Sequence, residues 1–223
     1  MKILGIVGSP RRNGNTSRLV KEVLQGAAKE GAITELVFLH DYKFTGCRGC
    51  EKCSESCRCV INDDMQKLYP LLLEADGLVL GSPTYFYNVS ADMKKFIDRC
   101  YSMEVFAKDD RSCWVGISEA MGGKYAVALT VCEQHDEQYM GFTMEALTKP
   151  LVDLGYRVID TVKAVGFLKP GEVSENAGIL DKSVTAGKRL AKTIKLRKEL
   201  ETKLRSGTVG PPFDRNQQFA AKL

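Results

Sequence analysis

The chain has 223 residues, enough for one α/β domain with a loop insertion and a tail, and its 44% hydrophobic content excludes disorder over the whole length. With 32 basic and 28 acidic residues the formal charge is +4. That is too mild to imply nucleic acid, though it suits an anionic cofactor or an acidic partner protein. No apolar stretch reaches the length of a membrane span, and Met1–Val7 lacks the apolar core of a secretory signal. The expectation is therefore a cytoplasmic protein with no membrane contact. Reduced thiols are the default there, and five of its eight cysteines fall between Cys47 and Cys59.

Apolar runs alternate with helical patterns along the chain. Lys2–Val7 reads as a buried strand, Ser17–Lys29 as a helix with Leu19, Val20, Val23 and Leu24 on one side, and Ile33–Leu39 as a second strand. Residues 40–62 have no sustained period and form a long loop rich in Cys, Gly and charge. Asp63 or Asp64 is placed to cap a helix carrying Met65, Leu68, Leu71, Leu72 and Leu73. Gly77–Leu80 is a third strand ending at Gly81-Ser82-Pro83, followed by a helix with Met93, Phe96, Ile97 and Cys100 on one face. Tyr101–Gly123 is irregular, with room for short helical turns. Lys124–Cys132 is a strand, Gln138–Leu154 a helix and Tyr156–Val165 the last strand. The final helix, about 179–204, shows Leu180, Val184, Gly187, Leu190, Ala191 and Ile194 as its buried stripe.

Five strands alternating with helices predict a flavodoxin-like, doubly wound five-stranded parallel sheet with helices on both faces. Residues 1–205 make one domain that includes the cysteine-rich loop, and 206–223, rich in Gly and Pro, make a C-terminal arm. In such sheets ligands bind outside the C-terminal strand ends, at the switch in strand order. The loop after the first strand reads Gly8-Ser9-Pro10-Arg11-Arg12-Asn13-Gly14-Asn15-Thr16-Ser17. The free amides of a helix start, hydroxyls from Ser9, Thr16 and Ser17, the Asn15 amide and the Arg11 guanidinium together suit a phosphate. A helix cap formed by Asn15 or Thr16 is the plainer alternative. Neither the P-loop ending nor Gly-x-Gly-x-x-Gly is present. Across the switch point, Gly81-Ser82-Pro83-Thr84-Tyr85-Phe86 can offer backbone groups to a polar ring edge, with Tyr85 or Phe86 against its face. Paired loops of this kind make a mononucleotide with a planar ring, FMN, the leading ligand.

Gly8-Ser9-Pro10-Arg11 with Gly14-Asn15-Thr16, and Gly81-Ser82-Pro83-Thr84-Tyr85-Phe86, resemble the paired FMN motifs of NADPH-dependent FMN reductase-like flavoproteins over roughly residues 1–200. The resemblance implies FMN phosphate held by Ser9, Arg11, Asn15, Thr16 and Ser17, with the flavin ring meeting Pro83, Thr84, Tyr85 and Phe86. Relatives often carry a Gly-rich flavin loop after the fourth strand, where this chain has Thr130-Val131-Cys132-Glu133-Gln134-His135. Relatives also place FMN at subunit interfaces, which implies a homodimer or homotetramer.

Cys47-x2-Cys50-x2-Cys53 lets three thiolates converge on one face of a tight turn, as three corners of a cubane iron–sulfur cluster require. Zinc more often takes two separated pairs, and free thiols are the remaining alternative. The fourth ligand is Cys57 or Cys59; the spacing favours Cys59. Cys47, Cys50, Cys53 and Cys59, leading into Asp63-Asp64-Met65, resemble the compact motif of the iron–sulfur flavoproteins, a branch of the same family. That resemblance implies a [4Fe-4S] cluster beside FMN and an electron-transfer role. Cys100, Cys113 and Cys132 are read as structural.

His40 and His135 have no nucleophile spaced around them, and no catalytic acid–base set is expected. The basic stretch Lys188–Arg205 is interrupted by glutamates and reads as a solvated helix face. The expected function is an FMN-dependent oxidoreductase passing electrons between the cluster and FMN to a small-molecule acceptor such as a quinone or an oxygen species. The donor is a ferredoxin-like protein or NAD(P)H. Rival readings are a cluster-free NAD(P)H-dependent FMN or quinone reductase, a non-enzymatic carrier between proteins, and a zinc-stapled interaction module.

Overall fold

A computed structural model of the chain describes residues 1–209. The apolar run Lys2–Val7 forms β1, flanked by β2 (Ile33–Phe38) on one side and β3 (Gly77–Pro83) on the other. β6 (Lys124–Val131) pairs with β3, and β7 (Tyr156–Ala164) closes the sheet, so the order is β2-β1-β3-β6-β7 with every pair parallel. The near-continuous apolar sequences of β1, β3 and β6 follow from burial on both faces. The strand order reverses at β1 and β3, which places the switch point between their C-terminal ends.

Two separate apolar cores result. On one face lie α1 (Asn15–Lys29) and α7 (Ala177–Arg205), packing Leu19, Val23, Leu190 and Ile194 against Ile3, Val79 and Val127. On the other lie α3 (Met65–Glu74), α4 (Ala91–Cys100) and α6 (Thr143–Asp153), whose Leu68, Phe96 and Leu147 meet Leu4, Leu78 and Ala126. α1 and α7 approach so closely that a Cβ at Gly187 would stand 1.8 Å from the Val23 carbonyl oxygen. The stripe on α7 accordingly centres on Ser183, Ala186, Gly187, Leu190, Ala191 and Ile194, while Leu180 and Val184 are only partly buried.

The stretch 101–123, expected to be irregular, contains an antiparallel hairpin of β4 (Glu104–Phe106) and β5 (Trp114–Gly116). Strands of three residues are too short to show a period, so the sequence carried no signal for them. A four-residue helix, α5 (Ile117–Ala120), follows. The expected helix 138–154 is broken: a 3-10 turn at Glu137–Met140 precedes α6. Gly141 separates the two at φ 51°, and a Cβ there would meet the Tyr87 backbone oxygen at 2.5 Å. Within the 40–62 loop one helical turn forms, α2 (Cys53–Ser56). Of the expected arm, 206–209 follow α7 as a turn, and 210–223 lie outside the described residues. Among the described residues no helix is long and apolar enough to cross a membrane.

Candidate functional site

The loops after β1 and β3 are joined by backbone and hydroxyl bonds rather than by long side chains. The Gly8 amide donates to the Gly81 carbonyl at 2.8 Å. Ser90, the N-cap of α4, donates its hydroxyl to the Gly8 carbonyl at 2.6 Å and accepts from the Met93 amide. Its own amide donates to Ser82 Oγ at 2.9 Å. These bonds hold the two loops face to face over a cavity of about 270 Å³ at the C-terminal edge of the sheet.

Ser9, Arg11, Asn15 and Thr16 from the first loop and Pro83, Thr84, Tyr85 and Phe86 from the second line that single cavity. Ser17 does not. Its hydroxyl is fully buried and donates to the carbonyls of Arg12 (2.7 Å) and Gly14 (2.8 Å), shaping the loop from within. α1 begins after Gly14 with no side chain capping it, so its first-turn amides open onto the cavity. Uncapped amides at a helix start are a ready anion site. The alternative of a side-chain cap from Asn15 or Thr16 does not hold, since no side chain caps α1: Asn15 Nδ2 donates to the Lys169 carbonyl at 2.9 Å, and Oδ1 accepts from the Val173 amide at 3.1 Å. Asn15 therefore braces the segment after β7, and Phe167 and Leu168 of that segment line the cavity too.

The β3 side of the cavity is shaped by a tight turn. Tyr85 and Asn88 exchange backbone hydrogen bonds (2.8 and 3.2 Å) around Phe86 at φ 48° and Tyr87 at φ 67°. Two central residues with positive φ define a type I′ turn, which normally takes Asn-Gly. Aromatic residues in this conformation carry backbone strain of the kind that gathers at functional sites. The turn pushes Phe86 to 98% exposure beside the cavity. The Thr84 amide donates to the Val131 carbonyl at 2.7 Å and its hydroxyl pairs with that of Thr130 at 3.2 Å, so the Thr84 N–H is not free for a ligand. Val131, the last residue of β6, and Glu133, from the loop after it, also line the cavity. Strand-end position alone could have singled out these residues and Phe167 and Leu168.

A second cavity, of about 460 Å³, lies at the cysteine loop. Cys47, Cys50, Cys53 and Cys59 all line it and Cys57 does not, its backbone being turned into the left-handed region at φ 53°. Burial pushes the Cys53 thiol up, and the charges of Cys59, Cys47 and Cys50 push the same way. Among the described residues no three His, Cys, Asp or Glu side chains are arranged to share a single metal ion. A cubane cluster holds its thiolates at separate corners, so its ligands stand further apart than those of one ion, and an all-thiol donor set facing one cavity fits it. Cys100 also lines this cavity, but burial lifts its thiol pKa to about 12, which keeps it protonated.

The cysteine loop is held at both ends by side chains. Asp63 Oδ2 accepts from the Thr45 amide at 3.0 Å, and its Oδ1 accepts from the Met65 amide at 3.1 Å, which starts α3. Gln66 Nε2 donates to the carbonyls of Cys59 and Ile61, both at 2.8 Å. Arg111 of the β4–β5 hairpin pairs with Glu51 at 2.6 Å and also with the Tyr101 hydroxyl. Of the two expected caps for α3, Asp63 accepts from the Met65 amide while Asp64 makes no side-chain cap bond; Gln66 and Arg111 were not singled out by sequence reasoning. His40 stands at the surface 3.6 Å from Asp92, and a Cβ on Gly166 would stand 2.7 Å from His135 Nδ1. α4 connects the surroundings of the two cavities: Ser90 at its start supports the loop after β1, and Ile97, Asp98 and Cys100 in its last turn line the cysteine cavity.

Fold and cavity define a flavodoxin-like α/β protein with a cavity at the C-terminal strand ends, where ligands of such sheets bind. Residues 1–138 match the family model of NADPH-dependent FMN reductase. An iron–sulfur flavoprotein of Archaeoglobus fulgidus is 32% identical over 205 residues, covering 90% of this chain and 84% of that protein. The chain belongs to the NADPH-dependent FMN reductase family, a family of flavin-dependent oxidoreductases, and to its iron–sulfur flavoprotein branch. An iron–sulfur flavoprotein of Methanocaldococcus jannaschii is 45% identical over 105 residues, 47% of this chain and 54% of that protein, so the match spans about half of that relative's length. An FMN-dependent NADH-azoreductase of Bacillus anthracis, solved with FMN, shares the fold at a TM-score of 0.62 and 18% identity, covering 85% of this chain and 99% of that one.

Proposed function

We propose that the chain is an electron-transfer oxidoreductase that holds FMN in the strand-end cavity and a [4Fe-4S] cluster in the cysteine cavity. It takes electrons from a ferredoxin-like donor and delivers them to a small acceptor such as a quinone or an oxygen species. The observation that carries this reading is the meeting of both FMN-type loops in one cavity beneath an uncapped helix start. FMN, when bound, supplies both one- and two-electron chemistry, and the cluster one-electron exchange.

The residues do the rest. Arg11, Ser9, Thr16 and the α1 amides bind the phosphate, Asn15 and Ser17 keep the loop in shape, and Pro83, Thr84, Tyr85 and Phe86 orient the ring. Cys47, Cys50, Cys53 and Cys59 ligate the cluster, and Cys57 stays outside the ligand set. The exposed Phe86, Tyr87 (50%) and Phe142 (71%) beside the FMN cavity support a homodimer or homotetramer that covers the flavin. The reading takes residues 1–205 as one functional unit in the cytoplasm.

Iron and acid-labile sulfide assays on anaerobically purified protein, read beside its visible spectrum, test it. Flavin absorbance together with iron and sulfide near four per chain is the expected result. Flavin without iron, bleached rapidly by NAD(P)H, would instead establish the cluster-free reductase.

A further inference from the structure

Arg99, in the last turn of α4, is the largest fully buried side chain among the described residues, with 1% of its surface exposed. Its neighbours Asp98 and Cys100 line the cysteine cavity. Nη1 donates to the Thr45 carbonyl at 2.9 Å and to Asp63 Oδ2 at 2.8 Å, and Nη2 donates to Asp63 Oδ1 at 3.1 Å and reaches the Ile61 carbonyl at 3.4 Å. Thr45 lies two residues before Cys47, and Ile61 two residues after Cys59. One guanidinium thus ties the entry and the exit of the cysteine loop to α4.

A structural ion pair alone is a poor account of this group. Burying a charge pair offers little net stability over an apolar replacement. Moreover, the Arg99 Nε–H is buried with no acceptor among the described residues. A native protein rarely leaves an arginine donor unpaired in its interior. The reach of Arg99 to the Ile61 carbonyl, two residues past Cys59, and the position of its neighbours Asp98 and Cys100 on the cavity wall set the cation at the Cys59 end of the thiol loop.

Resting on the cluster reading above, we propose that Arg99 is a positioning residue that also sets the potential of the cluster. It clamps both ends of the cysteine loop and places a buried positive charge, partly offset by Asp63, beside the Cys59 corner. Reduction adds one electron, and so one negative charge, to the cluster. A cation in a low-dielectric interior favours the reduced state and raises the potential. The Asp63 carboxylate acts in the opposite sense.

The two side chains therefore make opposite predictions. In anaerobic holoprotein titrated with dithionite and followed by EPR of the reduced cluster, Arg99→Met should shift the cluster midpoint to more negative potential. Asp63→Asn should shift it to more positive potential. The FMN midpoint should stay in place in both, and Arg99→Lys, which keeps the charge, should stay near wild type. Unmoved midpoints, or shifts of the same sign in Arg99→Met and Asp63→Asn, overturn the proposal, as does iron loss with an unshifted midpoint in the remaining clusters. If circular dichroism shows that Arg99→Met does not fold, Asp63→Asn decides alone: a positive shift supports the role and any other result overturns it. A wild type that binds FMN but no iron refutes the cluster reading itself, whereas a full wild-type cluster with unmoved variants refutes only the role of Arg99.

Discussion

The two cavities are built by opposite means. At the strand-end cavity the sheet does the positioning: β1 and β3 are neighbours in register, and backbone bonds such as Gly8 to Gly81 carry their order into the loops. The cysteine loop leaves β2 at the edge of the sheet and forms no strand pairing of its own, so side chains from α3, α4 and the β4–β5 hairpin brace it. A ligand site on sheet geometry needs only the right short loops, whereas a site on an excursion needs anchors drawn from distant positions. The two sites should accordingly fail independently.

The largest separation comes from the thiols. Cys59→Ser should abolish iron and sulfide incorporation while FMN content holds, and Cys57→Ser should leave both intact; metal and flavin analysis of the purified variants checks this. Conversely, Arg11→Ala or Thr16→Val should weaken FMN binding without altering iron content. Hydrogen bonds to a charged phosphate contribute about 1.5–3 kcal/mol each, so about 10- to 100-fold in Kd is expected in fluorescence titrations of deflavinated protein.

Acid should distinguish the two braces as well. Burial pushes the Asp63 carboxyl up, but hydrogen bonds from Arg99 and from the Thr45 and Met65 amides outweigh it and hold its pKa below the usual carboxylate value. A carboxyl depressed in the folded state adds stability that is present above its unfolded pKa, about 3.9, and is lost as pH falls through the folded value. The cysteine loop should loosen over that acid window, seen as faster proteolysis between residues 45 and 63. The Gly8–Gly81 and Ser90–Gly8 bonds contain no titrating group and should persist. The smallest effect is expected at the strained turn: Phe86→Gly removes an unfavourable left-handed conformation and should stabilise the flavin-free protein by about 1 kcal/mol in urea unfolding. FMN affinity should fall in the same variant if the ring needs that aromatic face.

The same contrast explains what the sequence revealed. Buried parallel strands are local apolar runs, and the loops that follow them carry short motifs, so the sheet, its switch point and eight of the nine expected flavin-site residues come together in one cavity. Ser17 is the ninth; its motif position was visible, but the direction of its hydroxyl depends on how the loop closes on itself. The cysteine spacing was equally legible because it is local. Its supports were not. Arg99 falls outside the expected apolar face of its helix, Met93, Phe96, Ile97 and Cys100, and only the tertiary fold buries it against Asp63, 36 residues earlier. The β4–β5 hairpin escaped notice for the same reason: its short strands pair through contacts that no periodicity announces.

The central claim is that two strand-end loops form one pocket for a phosphorylated flavin. Its most direct test is a fluorescence titration of deflavinated, anaerobically handled protein with FMN and, separately, with riboflavin, which has the same ring but no phosphate. The account predicts saturation at about one FMN per chain, with riboflavin bound at least about 10-fold more weakly because it leaves the α1 amides and Arg11 without a charged partner. Equal affinity for both would contradict the phosphate cradle, and no uptake of either would contradict the site itself.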